Sequence, residues 1–344
     1  MATIKEVAAR AGVSSATVSH VINGTRYVSA AVQEQVQQAM EALGYRPNAL
    51  AQSLRSGNTH TLGMILPDSA NPFFAEIGHS IEIAAFEAGY SVILCNTEND
   101  FAKETLYMDV LTNKQVDGII FVAIGERGDS VEKLLKMNFP VVVMDRDFPE
   151  LAMDVVLADN LQGGYLATKY LISLGHTRIG CIAGQSNVTP SALRVKGYMR
   201  AMEEANLPVL RELIINGDFH PESGWQVTHH MLSMENRPTA IFSCNDLMAI
   251  GVLRAAAELG LSVPHDLSVV GYDDINLASY VIPPLTTVNQ DKNEMGLAAL
   301  KLLLARIEKK YVDPQRTLLP VSLVIRGSTA SLVDEKRLDP LMER

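Results

Sequence analysis

Ile4-Lys5-Glu6-Val7-Ala8-Ala9-Arg10-Ala11, then Gly12-Val13-Ser14, then Ser15-Ala16-Thr17-Val18-Ser19-His20-Val21-Ile22-Asn23: how this stretch is read decides the fold of the first part of the chain. Ile4, Val7, Ala8 and Ala11 recur at helical spacing and share one face, and Gly12 supplies the positive φ at which a helix stops and turns. Ser14 is placed as an N-cap, and the following helix turns Val18, Val21 and Ile22 inward while short polar side chains face out. A third helix is expected over about 31–43, closing a small core with Val32, Val36, Ala39, Met40 and Leu43. Helix, glycine turn and helix fit the helix-turn-helix geometry, whose second helix enters the major groove with its first residues. Helical hairpins with a glycine turn are common, so periodicity alone leaves a hairpin that never meets DNA open.

Working outward, 344 residues are too many for one small core and call for two or three folding units. Residues 1–59 carry five basic groups (Lys5, Arg10, Arg26, Arg46, Arg55) and three acids (Glu6, Glu34, Glu41), which puts +2 here and −12 in the remainder of a chain of net charge −10. Phosphate binding needs only local positive potential, because screening at physiological salt acts over about 8 Å. No apolar run approaches the roughly 20 residues of a membrane span. The opening Met1-Ala2-Thr3-Ile4-Lys5-Glu6 carries an early acid and lacks the apolar core of a secretory signal, so a cytoplasmic, membrane-free protein is expected. Cys95, Cys181 and Cys244 are odd in number, far apart and set in apolar runs, which favours buried reduced thiols over disulfides or zinc.

From Thr61 the pattern changes to short apolar strands alternating with amphipathic helices. Leu62–Leu66, Ser91–Cys95, Gly118–Val122 and Val141–Met144 form a first set of strands; Arg178–Ile182, Leu213–Ile215, Ala240–Ser243 and Leu267–Tyr272 form a second. Continuous apolar strands between helices imply parallel sheets covered on both faces, and two such α/β lobes imply a cleft at their C-terminal strand ends. The fold class expected is therefore an all-α helix-turn-helix head on an α/β body of two doubly wound lobes.

Catalytic signatures are missing. No G-x-G-x-x-G follows the first strand, no Walker loop is present, and Gly184-Gln185-Ser186-Asn187-Val188 lacks the last glycine of a nucleophile elbow, so no enzyme is expected. His229 and His230 share a helix with Trp225, but adjacent histidines point to different faces, which argues against a metal. Met108, Met137, Met199, Met202 and Met231 read as helix-packing residues.

Ala2–Ala8, Gly12-Val13-Ser14 and Thr17–Asn23 resemble the opening signature of the lac/gal repressor family of bacterial transcriptional regulators, and Tyr45–Arg55 resembles that family's hinge. The likeness runs to Arg326-Gly327-Ser328 and is strongest to the ribose-operon branch. It implies a head at 1–46, a hinge helix at 47–58 and a sensing and dimerisation body at 59–344, with an N lobe of about 59–160 and 291–322 and a C lobe of about 161–290 and 323–344. It also implies a homodimer on double-stranded operator DNA. Ser15, Ala16 and His20, with Arg26 just beyond the helix, are expected at or near base edges, Thr3, Ser14, Thr17 and Tyr45 at phosphates, and Asn23 among the DNA-binding residues. In the hinge, Asn48, Ala51, Leu54 and Arg55 are carried over as minor-groove residues, Leu54 as the wedge in the central base step. A helix of about eight residues opening at Pro47 is marginal alone and folds on DNA.

Polar residues at strand ends complete the picture. An aspartate there is often only a helix N-cap, but Asn71, Phe73, Phe74, Asp145, Arg146, Arg194, Phe219, Asn245, Asp273 and Gln290 jointly resemble the ribose site of periplasmic ribose-binding proteins. Paired hydroxyls suit carboxylates and guanidinium forks, a sugar C–H face suits Phe, and two acids with two arginines cancel charge as a neutral ligand requires. The reading is thus a repressor controlled by a small sugar, ribose or a close pentose, with no cofactor and no metal. A corepressor-dependent repressor answering to a purine or another metabolite is the alternative, because both responses use the same cleft.

Overall fold

The computed structural model describes residues 2–24, 26–45, 58–122, 128–185, 189–310 and 313–332, and its contacts divide the chain into Met1–Thr59 and His60–Arg344. Hinge residues Asn48, Ala51, Leu54 and Arg55 lie outside the described residues.

The first unit holds α1 (Ile4–Ala11), α2 (Ser15–Asn23) and α3 (Ala30–Leu43). Thr3 opens α1 with a capping box: the Glu6 carboxylate accepts the Thr3 N–H at 2.7 Å while the Thr3 hydroxyl faces the Glu6 N–H at 3.4 Å. Gly12, at φ 68, ends α1, and Ser14 caps α2 by accepting the Thr17 N–H at 3.0 Å. Val7, Ala8, Val18, Val36 and Ala39 are buried together, with Ile4, Val21, Ile22 and Met40 around them.

The second unit consists of two lobes of like design. The N lobe starts with β1 (Thr61–Leu66), α4 (Pro72–Glu87), β2 (Ser91–Asn96), α5 (Phe101–Asn113), β3 (Gly118–Phe121), α6 (Asp129–Lys136), β4 (Val141–Met144) and β5 (Asp154–Ala158). The C lobe follows as α7 (Asn160–Ser173), β6 (Ile179–Ala183), α8 (Thr189–Glu204), β7 (Ile214–Asn216), α9 (Pro221–Leu232), β8 (Ala240–Ser243), α10 (Asp246–Glu258), β9 (Ser268–Asp273) and β10 (Thr286–Gln290). The chain then returns with α11 (Lys292–Ile307) and β11 (Arg316–Leu319), and crosses again into β12 (Val321–Val324). The sheets run β11-β5-β4-β3-β1-β2 and β12-β10-β9-β8-β6-β7, the same order twice, parallel throughout except that β12 is antiparallel to β10.

Strands β3, β4, β6 and β8 are buried at every residue, as a sheet with helices on both faces requires. Leu213 stands in a 3-10 turn instead of opening a strand, and β7 starts one residue later. The lobes are joined at three places, around residues 159, 291 and 320, the last two residues ahead of the boundary expected from sequence. Asp154 fixes the third crossing: it accepts from Arg306 at 2.7 and 2.8 Å and from the Gln315 N–H at 2.8 Å, clamping α11 and the approach to β11 onto β5. All three cysteines are buried and reduced.

Candidate functional site

A cleft of about 620 Å³, its open mouth included, lies at the C-terminal strand ends of the two lobes. This is where open α/β sheets bind ligands, because the strand-to-helix turns there converge from both sides of the topological switch. After β1 the chain passes Asn71, the N-cap of α4, whose side chain accepts the Phe73 N–H at 3.0 Å; this turns Phe73 and Phe74 onto the cleft, edge to face at 5.1 Å between centroids. After β4, Asp145 takes a left-handed φ of 63 and presents itself with Arg146 on the same wall.

The facing wall belongs to the C lobe. Arg194, on α8, is held by Asn160 (Nε to Oδ1, 2.8 Å), by the Cys244 carbonyl (2.5 Å) and by the Tyr272 ring 3.8 Å beneath its guanidinium. Phe219 follows β7, and the Asn245 amide anchors it by donating to the Phe219 carbonyl at 2.9 Å while Asn245 Oδ1 caps α10 through the Met248 N–H. Asp273 closes β9 at φ 106, its carboxylate accepting from Gln290 at 2.8 Å and lying 3.5 Å from Arg194.

Nine of the ten side chains expected at the ligand line this cleft; Gln290 does not. It is fully buried and bonds the Asp273 carboxylate, one residue beyond the point where β10 pairs with Asp273 on β9. Residues outside the ten also line the walls: Pro67, Asp68, Asn99, Gln185, Pro190, Asp218 and His220. Asp68 and Asn99 follow β1 and β2 and Asp218 and His220 flank Phe219, so the strand-end rule alone could have found them.

Four buried charges share the deep part of the cleft, Asp145, Arg146, Arg194 and Asp273. Burial pushes the Asp145 carboxyl up, against Arg146 and Arg194, and pulls the Arg146 guanidinium down. It raises Asp273 to about 7, with Arg194 and Lys292 opposing and Asp145 adding to the rise. Asp145 Oδ1 and Gln290 Oε1 are buried polar atoms that no hydrogen bond satisfies, a costly state that a hydroxyl-bearing ligand would relieve at Asp145. Among the described residues no group of side chains could hold a metal ion, and no helix is long and apolar enough to cross a membrane. His229 stacks edge-on to Trp225 at 4.6 Å and meets Glu258, while His230 is exposed.

In the first unit, Ala16, Asn23 and Arg26 are exposed and Ser15, Thr17 and His20 partly so, which leaves the outer face of α2 accessible. The hydroxyls of Thr3, Ser14 and Thr17 already serve the helix caps, and Tyr45 is half-buried against the core. Tyr27, next to Arg26 in the chain, is 95% exposed.

The profile of the bacterial regulatory proteins, lacI family, matches residues 3–48, and that of the periplasmic binding protein-like domain matches residues 168–329. A protein of Actinobacillus pleuropneumoniae serotype 3 (strain JL03), named HTH-type transcriptional repressor PurR, is 44% identical over 334 residues, covering 96% of this chain and 99% of its own. The chain belongs to the lacI family. As a lacI-family protein it is a DNA-binding transcriptional repressor and not an enzyme. The crystal structure of the lac repressor dimer bound to operator and the anti-inducer ONPF superposes with a TM-score of 0.87 at 32% identity, covering 96% of this chain and 99% of that one. A lacI-family regulator of Enterococcus faecium with bound ribose gives a TM-score of 0.72 at 34% identity over 79% of this chain and all of that one. The lacI-family expectation thus stands, whereas the relatives carry the name PurR and not that of a ribose-operon repressor.

Proposed function

We propose that this lacI-family repressor binds a palindromic operator as a homodimer and that a ribose-like pentose in the cleft controls its operator affinity. One observation carries the ligand class: two acids and two arginines are buried side by side at the deep end, with an unsatisfied carboxylate oxygen on Asp145 and Phe73, Phe74 and Phe219 on the walls. Hydroxyl-rich neutral ligands use such a set fully, because each carboxylate accepts and each guanidinium donates in pairs. The E. faecium relative with bound ribose supports the same reading. Ser15, Ala16, His20 and Arg26 meet base edges, Thr3, Ser14, Thr17 and Tyr45 meet phosphates, Asn23 belongs to the same DNA-binding set, and Asn48, Ala51, Leu54 and Arg55 enter the minor groove. Such work belongs in the cytoplasm.

A second reading is favoured by the relatives named PurR: a purine in the cleft as corepressor. Against it, a planar base offers fewer hydroxyls than this charge set can serve. Calorimetry with ribose, hypoxanthine and guanine, paired with operator binding in the presence of each, separates the two. Ribose is expected to bind and to change operator affinity; binding of a purine alone would overturn the pentose assignment and leave the repressor standing.

A further inference from the structure

The carboxylate of Asp273 serves the cleft, but its carbonyl serves a different contact. Lys292, the first residue of α11, donates from Nζ to the carbonyls of Asp273 at 2.9 Å and Asp274 at 2.5 Å, and lies 3.6 Å from Glu76 Oε2. Glu76 Oε1 accepts the Asn276 N–H at 2.8 Å. Glu76 belongs to α4 of the N lobe, whereas Asp273, Asp274 and Asn276 belong to the C lobe, so two side chains tie the lobes together directly behind a ligand residue. Asp274 is held further by Arg326 at 2.6 Å. Asp273 and Asp274 both have positive φ, 106 and 52, a conformation that persists only where surroundings over-determine it.

We propose that Glu76 and Lys292 form an inter-lobe latch that reports occupancy at the Asp273 carboxylate to helix α4. The proposal rests on the ligand-sensing reading of the cleft. A group that bonds the Asp273 carboxylate moves the residue whose carbonyl Lys292 grips, and Lys292 in turn changes its hold on Glu76. Helix α4 then carries the change: Phe73 and Phe74 stand at its ligand end, Glu76 one turn on, and Ile83 and Phe86 on its exposed face further along. Its inner side is backed by α11, where a Cβ on Gly296 would come within 3.3 Å of the Ile77 carbonyl, so the two helices approach closely there. An ion pair at 3.6 Å with Glu76 about one-third exposed adds little stability. Its removal therefore probes coupling more than folding.

The test compares wild type with Glu76→Gln, Lys292→Met and Lys292→Arg, measuring operator affinity without ligand and at saturating ribose. Wild type is expected to show a ligand-induced change within the usual range of about 5- to 150-fold. Glu76→Gln and Lys292→Met are expected to bring that ratio close to one while leaving ligand-free operator affinity unchanged, with Lys292→Arg restoring part of it. An unaltered ratio at saturation, with only more ribose needed to reach it, would overturn the latch and reduce both residues to supports of the binding site. Hydrogen exchange of the ligand-free protein judges the latch even if no ligand response is found in wild type, in which case the sensing reading fails by itself. Lys292→Met is expected to speed exchange at 274–277 and along α4 together; acceleration confined to 274–277 would refute the coupling.

Discussion

Asp273 sets a pH edge that can be worked out in sign. Its folded pKa of about 7 stands above the ordinary carboxyl value of about 3.9, so between these limits the folded protein holds a proton that the unfolded chain has released. The group's contribution to stability is present below about pH 4 and is lost as pH rises toward 7. Ligand affinity runs the other way, because a hydroxyl donates to the ionised carboxylate: it is expected to climb up to tenfold per unit as pH rises to about 7, and to level off above. Calorimetry from about pH 5.5 to pH 8 checks it, and a flat affinity contradicts it. Asp273→Ala is expected to abolish ligand binding and the operator response together while operator binding itself persists, giving a repressor that cannot be switched. At this scale the sequence was informative where a residue ends a strand, as Asn71, Asp145 and Asp273 do. It was silent on depth: nothing in Thr286–Gln290 tells that Gln290 is buried and bonds Asp273, and nothing in a helix heptad tells that Glu76 reaches across to the other lobe.

Helices α7 and α8 illustrate how an element positions a site residue. A Cβ on Gly197 would sit 2.1 Å from the Leu161 carbonyl and 2.5 Å from the Tyr165 nitrogen, so the two backbones nearly touch, and Arg194 leaves α8 one turn before that contact. Gly197→Ala must push the helices apart; overpacking of this kind costs about 1–3 kcal/mol, and the displaced guanidinium is expected to weaken ligand binding in calorimetry while the first unit still melts as before. In α1, Thr3→Ala removes a cap and is expected to lower the melting temperature of the first unit, by about 1 kcal/mol of stability, separately from any phosphate contact. The eight strands read from sequence all carry short apolar runs. Of the other four, β5 carries the apolar run Val155–Ala158 and was passed over all the same; β10, β11 and β12 were not legible, because four of the five residues of Thr286-Thr287-Val288-Asn289-Gln290 are polar and Arg316–Leu319 and Val321–Val324 are short edge strands whose partners lie far away in the chain. Register with a remote partner, not local propensity, makes them strands.

For the whole molecule, operator reading requires two copies, since one helix-turn-helix reads one half-site. Exposed Phe86 (77%) on α4 and Ile282 (93%) and Tyr280 (74%) after the C-lobe 3-10 turn Asn276–Ser279 are large apolar groups of the kind that interfaces cover. Phe86→Asp combined with Ile282→Asp is expected to turn a dimer into a monomer by sedimentation, with ligand binding intact and operator affinity strongly reduced; a variant still dimeric would place the interface elsewhere. Leu54→Ala is expected to weaken operator binding with ribose affinity unchanged, and equal operator affinity would defeat the wedge. The three crossings between the lobes bear on something else, the order in which the protein is made. The sheet begun by β1 at residues 61–66 lacks its edge strand until residues 316–319 emerge, and β12, which completes the other sheet, follows one residue later. At about 5–20 residues per second of synthesis, the body must wait on the order of 10–50 s from its first strand to its last. The three-helix head has no such debt to its C-terminus: it can fold while the ribosome is still writing the lobes, which makes the nascent body, and not the DNA reader, the part that needs a chaperone's protection.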